Sequence, residues 1–164
     1  MTGASSPGRI RFRHVLDAAD PARIRALVAA TKVFSAEEVR TAADLAETTL
    51  DGSETYRWLI AERDGELVGY TCFDRIPFST VSFDLYWIAV SPELRGTGLG
   101  RELMDRTVKF IKAKRGLSIF AETSSRDAYA KARAFYEAMG FRQVARFDDY
   151  YDASDAKITY RLAL

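Results

Sequence analysis

The chain has 164 residues, of which 48% are hydrophobic and 29% are charged, a composition typical of a folded globular protein. This length fits one ordinary domain, and the composition excludes disordered and fibrous classes. Its 24 lysines and arginines nearly balance its 23 aspartates and glutamates. The net charge of +1 therefore supplies no broad field to attract nucleic acid or a membrane.

Cysteine content and apolar run lengths limit the location of the protein. The single cysteine, Cys72, excludes an internal disulfide and a cysteine-based zinc site, so we expect no metal and a reducing cytoplasm. No apolar run reaches the roughly 18 to 20 residues that a membrane span needs. Residues 1–8 are small and polar, without the apolar centre of a signal peptide. We expect a flexible tail over residues 1–8 and one domain over residues 9–164.

The N-terminal third is predicted to form one strand and two helices. Residues 10–15 favour a strand. Asp20 followed by Pro21 supplies an N-cap and a first-turn proline for a helix that ends near residue 30. Ser35 and Glu38 have the spacing of a capping box, which opens a second helix to about residue 50.

Three strands are predicted next. Residues 58–61 and 67–73 are rich in β-branched and aromatic residues, and they are joined around Asp64 and Gly65. This dipeptide tolerates the positive φ of a hairpin turn, so the two strands are expected to be antiparallel. A third strand over residues 83–90 ends before a proline.

The C-terminal half continues the sheet. An apolar stripe predicts a helix from residue 99 to about residue 114, which is followed by a buried strand over 117–123 and a helix over 128–139. Strands over 141–147 and 158–162 complete the sheet. The order of elements predicts a mixed α/β fold with helices on the faces of the sheet.

A glycine-rich segment joins the predicted strand over residues 83–90 to the predicted helix that begins at residue 99. It consists of Arg95, Gly96, Thr97, Gly98, Leu99, Gly100 and Arg101. Bare amides and the positive end of the helix dipole favour phosphate here, and the glycines permit close approach. A P-loop is excluded because Arg101 and Glu102 follow Gly100, and Arg101 also stands where a dinucleotide fingerprint needs glycine. An ordinary tight turn at a helix start is the alternative.

The same segment resembles the cofactor loop of the GNAT family of N-acetyltransferases, with arginine, two residues, glycine, one residue and glycine in order. Residues 85–92 resemble that family's fourth strand, and residues 132–141 resemble its later helix-to-strand motif. The resemblance is strong over residues 57–147. It implies a mixed, mostly antiparallel sheet of six to seven strands flanked by about four helices.

The resemblance also implies a reaction, in which an acetyl group passes from acetyl-CoA directly to a primary amine. The pyrophosphate is expected on the amides of residues 95–100, with charge from Arg95 and Arg101. The pantetheine arm is expected to pair like a strand beside Ile88, Ala89 and Val90.

Two tyrosines are assigned by the same resemblance. Tyr136 is similar to the family's tyrosine that protonates the departing thiolate, although a purely core position is the alternative. Many members have asparagine where this chain has Tyr129, so the cofactor contact expected at Tyr129 departs from the family pattern.

A proton acceptor is expected near the amine, because direct attack requires the neutral form. Glu122, at the C-terminal end of its strand, is the first candidate. Asp84 is the second, because strict alternation places it on one face with Tyr86 and Ile88. A structural hydrogen bond or ion pair is the alternative for either carboxylate.

The acceptor class is less closely defined. An acidic and aromatic segment, residues 148–152, is expected to interrupt the sheet and either to line the acceptor mouth or to form a solvated loop. A small molecule or amino acid is the leading acceptor, a protein N-terminus or lysine is the second, and a non-catalytic acyl-CoA sensor is a different class. A homodimer is also possible.

Overall fold

The computed structural model describes residues 8–164, so the predicted tail lies almost entirely outside the described residues. The strands are β1 (Arg11–Arg13), β2 (Arg57–Arg63), β3 (Glu66–Arg75), β4 (Ser82–Val90), β5 (Ser118–Ser124), β6 (Arg142–Asp152) and β7 (Asp155–Ala163). The helices are α1 (Asp20–Ala30), α2 (Ala36–Leu50), α3 (Leu99–Ala113) and α4 (Ala130–Ala138). The predicted mixed α/β fold is confirmed. Among the described residues, no helix is both long and apolar enough to cross a bilayer.

The strands form one seven-stranded sheet in the order β1-β2-β3-β4-β5-β7-β6. All neighbouring strands are antiparallel except β4 and β5, which are parallel. Pairing between β4 and β5 ends at Leu85 and Ala121. Beyond these residues β4 stays paired with β3 as far as Val90, and β5 stays paired with β7 as far as Ser124. The two parallel strands therefore diverge and leave an opening in the sheet.

Helices pack on both faces of the sheet. Leu103 of α3 and Tyr136 of α4 belong to the hydrophobic core on one face. Ile24 of α1 and Ala46 of α2 pack against Tyr70 on the other face. Alanines along the buried side of α2 let this helix lie close to its neighbours. Helix α1 contacts β3 and β4. Farther along the same face of the sheet, side chains of β5, β7 and β6 are exposed.

Several local predictions are confirmed. Ser35 and Glu38 form both hydrogen bonds of the capping box at the start of α2. Asp64 and Gly65 have φ values of 54° and 83°, as the predicted hairpin turn between β2 and β3 requires. Cys72 is buried in β3, where it behaves as a small apolar residue.

The prediction that Asp20 caps α1 is wrong, because Ala19 is the N-cap and Asp20 begins the helix. The Asp20 carboxylate instead accepts two hydrogen bonds from Arg13, each 2.7 Å long. These bonds join β1 to α1. Burial by itself would raise the pKa of Asp20, but the Arg13 guanidinium outweighs it and holds that pKa below its usual value.

The prediction that residues 148–152 interrupt the sheet is confirmed only in part. Strand β6 continues through them to Asp152, but its pairing with β7 is irregular between Phe147, which pairs with Lys157, and Asp152, which pairs with Asp155. All but one residue of β6 is exposed, so its sequence lacks the alternation of a half-buried strand. A tight turn at residues 153–154 then leads directly into β7, with Ser154 at a φ of 64°. At the other end of the chain, β1 is shorter than predicted.

Candidate active site

The opening between β4 and β5 exposes one backbone edge of β4. Ile88, Ala89 and Val90 pair with β3 on one side and have no β5 partner on the other side within the described chain. Amide and carbonyl groups on such an edge are available to an extended, peptide-like ligand. The predicted pantetheine position therefore has suitable backbone groups.

The glycine-rich loop provides further amides at the C-terminal end of β4. Gly98 is the N-cap of α3 with a φ of 89°, and no side chain caps this helix. The first helical hydrogen bond runs from the Glu102 amide to the Gly98 carbonyl at 3.0 Å, which leaves the amides of residues 99–101 without a partner inside the helix. The Arg95 and Thr97 amides are used in turns, each at 3.3 Å. Within the predicted range of residues 95–100, the amides of Arg95 and Thr97 are thus already engaged, and we call the bare amides of residues 99–101 the anion seat.

The two glycines at the start of α3, Gly98 and Gly100, have different surroundings. A Cβ atom at Gly98 would have no neighbour within 4 Å, so a ligand has free access to the backbone there. A Cβ atom at Gly100 would lie 3.4 Å from the Phe135 ring and 3.8 Å from Val90. Gly100 therefore also serves the close packing of α3 against α4 and β4.

Tyr136 lies on the buried side of α4. Its ring is 7% exposed and lies 5.3 Å from the Phe141 ring and 5.7 Å from the Tyr160 ring, measured between centroids. Its hydroxyl makes no hydrogen bond to another described residue. Burial, followed by the neighbouring Tyr160, raises the pKa of Tyr136 to about 12. This phenol therefore remains protonated at neutral pH.

Tyr129 immediately precedes α4 and connects two parts of the chain. Its hydroxyl donates to the Glu38 carboxylate at 2.7 Å, and its ring lies 5.9 Å from Phe34. Phe34 also contacts Trp87 of β4, with 4.9 Å between the ring centroids. The segment between α1 and α2 thus lies beside the opening. No motif in the sequence indicated Phe34, and the spacing of Glu38 from Ser35 indicated only a capping role.

The prediction that Asp84 shares a face with Ile88 is wrong because β4 contains a β-bulge. The register between β3 and β4 shifts at Tyr86, so Leu85 faces α3 before the bulge and Ile88 faces α3 after it. Asp84 consequently lies on the face opposite Ile88. Glu122 lies on the same face as Asp84, because its neighbour Ala121 belongs to the core under α3.

The two candidate bases therefore lie on adjacent strands of one sheet face. Burial, followed by the charge of Glu122, raises the pKa of Asp84 above its usual value. Glu122 is the first residue of β5 beyond the last pair with β4, and half of its side chain is exposed. Glu122 is thus the carboxylate at the opening, and Asp84 lies farther back along the paired strands.

Glu122 has a cationic partner, Lys157 of β7. The ammonium nitrogen Nζ of Lys157 is 3.3 Å from Glu122 Oε1. It also lies 4.2 Å from the centroid of the Tyr150 ring and 5.3 Å from that of Phe147. Partial loss of hydration would lower the pKa of Lys157, but the Tyr150 hydroxyl and Glu122 outweigh it and raise that pKa.

The hydroxyls after Glu122 have structural roles. Ser124 Oγ donates to the Asp155 carboxylate, and Ser125 Oγ accepts from the Ala156 amide at 2.8 Å. His14 bonds through Nδ1 to the Trp58 carbonyl oxygen at 2.8 Å. These groups fix the ends of strands and are engaged within the protein.

One group of acidic side chains is close enough to suggest a metal site. It consists of Asp17, Asp20 and Glu62. All three surround the Arg13 guanidinium, at 3.5, 2.7 and 2.8 Å respectively. Arg23 also lies 3.2 Å from Asp17 and 3.5 Å from Asp20, so two arginines together offset most of the charge of the three carboxylates.

Comparisons with known proteins give a consistent result. The sequence matches the acetyltransferase (GNAT) family over residues 22–141. It is 32% identical over 85 residues to the 5-NmdU N-acetyltransferase of Pseudomonas phage PaMx11, a match that covers 51% of this chain and 56% of that relative. The chain thus matches about half the length of this curated relative.

Solved structures show the same fold. A GNAT-family protein from Desulfovibrio desulfuricans superposes with a TM-score of 0.91 and 36% identity, over 94% of this chain and 99% of that one. A Salmonella typhimurium structure that contains acetyl-CoA as its cofactor has a TM-score of 0.71 and 19% identity, over 95% of this chain and 94% of that one. At that identity the second similarity concerns the fold alone.

Proposed function

Because the chain belongs to the GNAT family of acetyltransferases, we propose that it transfers an acetyl group from acetyl-CoA directly to the primary amine of a small molecule. The observation that supports this proposal most is the divergence of β4 and β5 beside a helix start with bare amides. This arrangement places the free backbone edge of β4 next to the bare amides of residues 99–101. The residues present fit a long ligand with a pyrophosphate at one end.

Different groups of the chain would bind different parts of acetyl-CoA. The amides of residues 99–101 would hold the pyrophosphate, with Arg101 exposed at the same helix start. The free edge of Ile88, Ala89 and Val90 would align the pantetheine arm. Bound acetyl-CoA supplies a thioester that is activated toward amines, so the protein's main task is to align the two reactants.

Two side chains would then handle protons. Glu122 would accept a proton from the acceptor ammonium, since it is the carboxylate at the opening. Tyr136, which stays protonated at neutral pH, would donate a proton to the departing thiolate. Asp84 would contribute negative charge behind Glu122 and favour a cationic acceptor.

The acceptor side of the sheet favours a small amine with an apolar or planar part. Tyr86, Tyr150 and Tyr151 are 40%, 55% and 50% exposed, and the latter two lie on β6 near Glu122. Exposed aromatic rings next to carboxylates suit a ligand that combines a ring with an ammonium. The phage relative's name supports including 5-NmdU among the candidate acceptors.

The test has two stages. Calorimetry measures acetyl-CoA binding, and a thiol-release assay then measures turnover over a panel of amines that includes 5-NmdU, amino acids and peptide N-termini. Binding with turnover on small amines supports the proposal. Turnover on peptides alone favours the protein-acetylating alternative, and binding without any turnover favours an acyl-CoA sensor. Absence of binding at millimolar acetyl-CoA refutes the proposal.

A further inference from the structure

Lys157 is a primary amine that the fold holds at the candidate base. Its Nζ atom contacts the Glu122 carboxylate at 3.3 Å and lies over the Tyr150 ring at 4.2 Å, and only 15% of the side chain is exposed. The Phe147 ring lies on the same cation at 5.3 Å. A carboxylate combined with aromatic faces is the usual protein environment for an alkylammonium ligand.

We propose that Lys157 occupies the seat of the acceptor ammonium in the free chain and that the enzyme acetylates Lys157 itself. This inference rests on the proposed function. It adds a modification site on β7, at which the chain would acetylate the lysine that occupies the site of the acceptor ammonium.

The register of the strands places Lys157 next to the opening. Lys157 pairs with Ser124 on β5, two residues beyond Glu122, and both side chains lie on the face away from α3. Glu122 is itself the first residue of β5 that has left β4. The flexible four-carbon stem of a lysine allows its nitrogen to move from Glu122 toward the space between the strands.

Among the described lysines, Lys157 is the one that forms an ion pair. The other described ion pairs all use arginine. Lys131, on α4, is exposed to solvent and serves as a reference lysine. Non-enzymatic acetylation by a dissolved thioester would favour such an exposed lysine over Lys157.

The chemical step uses groups already described. The Lys157 ammonium gives one proton to Glu122, and its nitrogen lone pair attacks the thioester carbonyl carbon. A nitrogen–carbon bond forms, the carbon–sulfur bond breaks, and the thiolate takes a proton from Tyr136. The nitrogen loses its second proton to solvent as the amide forms, solvent reprotonates Tyr136, and Glu122 releases the proton that it accepted. The products are an amide on Lys157 and free CoA, with one proton released in total. Acetylation removes the positive charge of Lys157 and therefore its ion pair with Glu122.

The experiment incubates the full-length protein with acetyl-CoA and no added amine, and follows modification by intact mass and peptide mapping. We expect one acetyl group at Lys157, added about tenfold or more faster than at Lys131 because the reacting groups are held together. The rate should not depend on protein concentration. Lys157→Arg, which keeps the charge, should abolish this modification, and Glu122→Gln should slow it.

The outcomes distinguish this inference from the function on which it rests. Acetylation that follows solvent exposure, with Lys131 ahead of Lys157, refutes the inference. So does an unmodified Lys157 in protein that binds acetyl-CoA and acetylates free amines, and in that case the proposed function stands. Protein that does not bind acetyl-CoA refutes both.

Discussion

Removal of the Tyr136 hydroxyl should separate catalysis from stability. In Tyr136→Phe the buried ring keeps its contacts with Phe141 and Tyr160, and no hydrogen bond to a described residue is lost. We therefore expect the free energy of unfolding to change by less than about 0.5 kcal/mol, as for substitutions that remove no named interaction. Loss of a general acid should lower kcat by about 10²- to 10⁴-fold.

Tyr160→Phe is a matched control from the same aromatic group. The Tyr160 hydroxyl donates to the Glu137 carboxylate at 3.0 Å. Loss of this bond should reduce the free energy of unfolding by about 0.5 to 1.5 kcal/mol. Its kcat should stay close to that of the unmodified enzyme. Tyr136→Phe is thus expected to lower kcat and keep the free energy of unfolding, whereas Tyr160→Phe is expected to lower the free energy of unfolding and keep kcat.

Thiol release at saturating acetyl-CoA gives kcat, and denaturant unfolding gives the free energy of unfolding for each variant. Because the pKa of Tyr136 is raised to about 12, its hydroxyl stays protonated, and the activity of the unmodified enzyme should not fall between pH 8 and 10 through loss of this acid. A Tyr136→Phe enzyme with kcat within about threefold of normal, or an equal loss in Tyr160→Phe, would refute the assigned role of the hydroxyl.

Three further predictions follow from the same geometry. Gly98→Ala and Gly65→Ala, both at positive φ with no neighbour near the new Cβ, should each reduce the free energy of unfolding by about 1 to 2 kcal/mol. Calorimetry should show weaker acetyl-CoA binding only for Gly98→Ala, and equal binding by both would contradict the anion seat. Glu122→Gln should lower kcat by about 10²-fold or more at pH 7, with much less loss at high pH, where the free amine is abundant. Asp20→Asn should lower the free energy of unfolding by about 3 kcal/mol at pH 7. The depressed Asp20 pKa means that this stability is present above pH 4 and is lost as pH falls through the folded-state pKa, so urea unfolding should show the two proteins converging in acid.

Much of the fold could be predicted because its signals are local. The capping box of Ser35 and Glu38, and the hairpin turn at Asp64 and Gly65, depend on residues within a few positions of one another. The glycine-rich loop is local in the same sense, and Gly98 has the positive φ that a glycine permits.

The errors arose where distant parts of the chain decide the outcome. Asp20 is not a cap because its carboxylate is bound to Arg13 of a neighbouring strand. Asp84 and Ile88 lie on opposite faces of the sheet, against the prediction, because a bulge forms only when β3 and β4 pair. Tyr129 bonds to Glu38, 91 residues away, a contact for which no spacing rule exists.

The position of Trp87 gives this enzyme an internal optical probe. The chain has two tryptophans. Trp58 is 2% exposed, and its indole nitrogen donates to Thr49, so its emission should respond little to a bound ligand. Trp87 lies against Phe34 beside Ile88, where an incoming cofactor would change its surroundings. Intrinsic fluorescence should therefore report occupancy in real time without a label, and Trp87→Phe should abolish the signal.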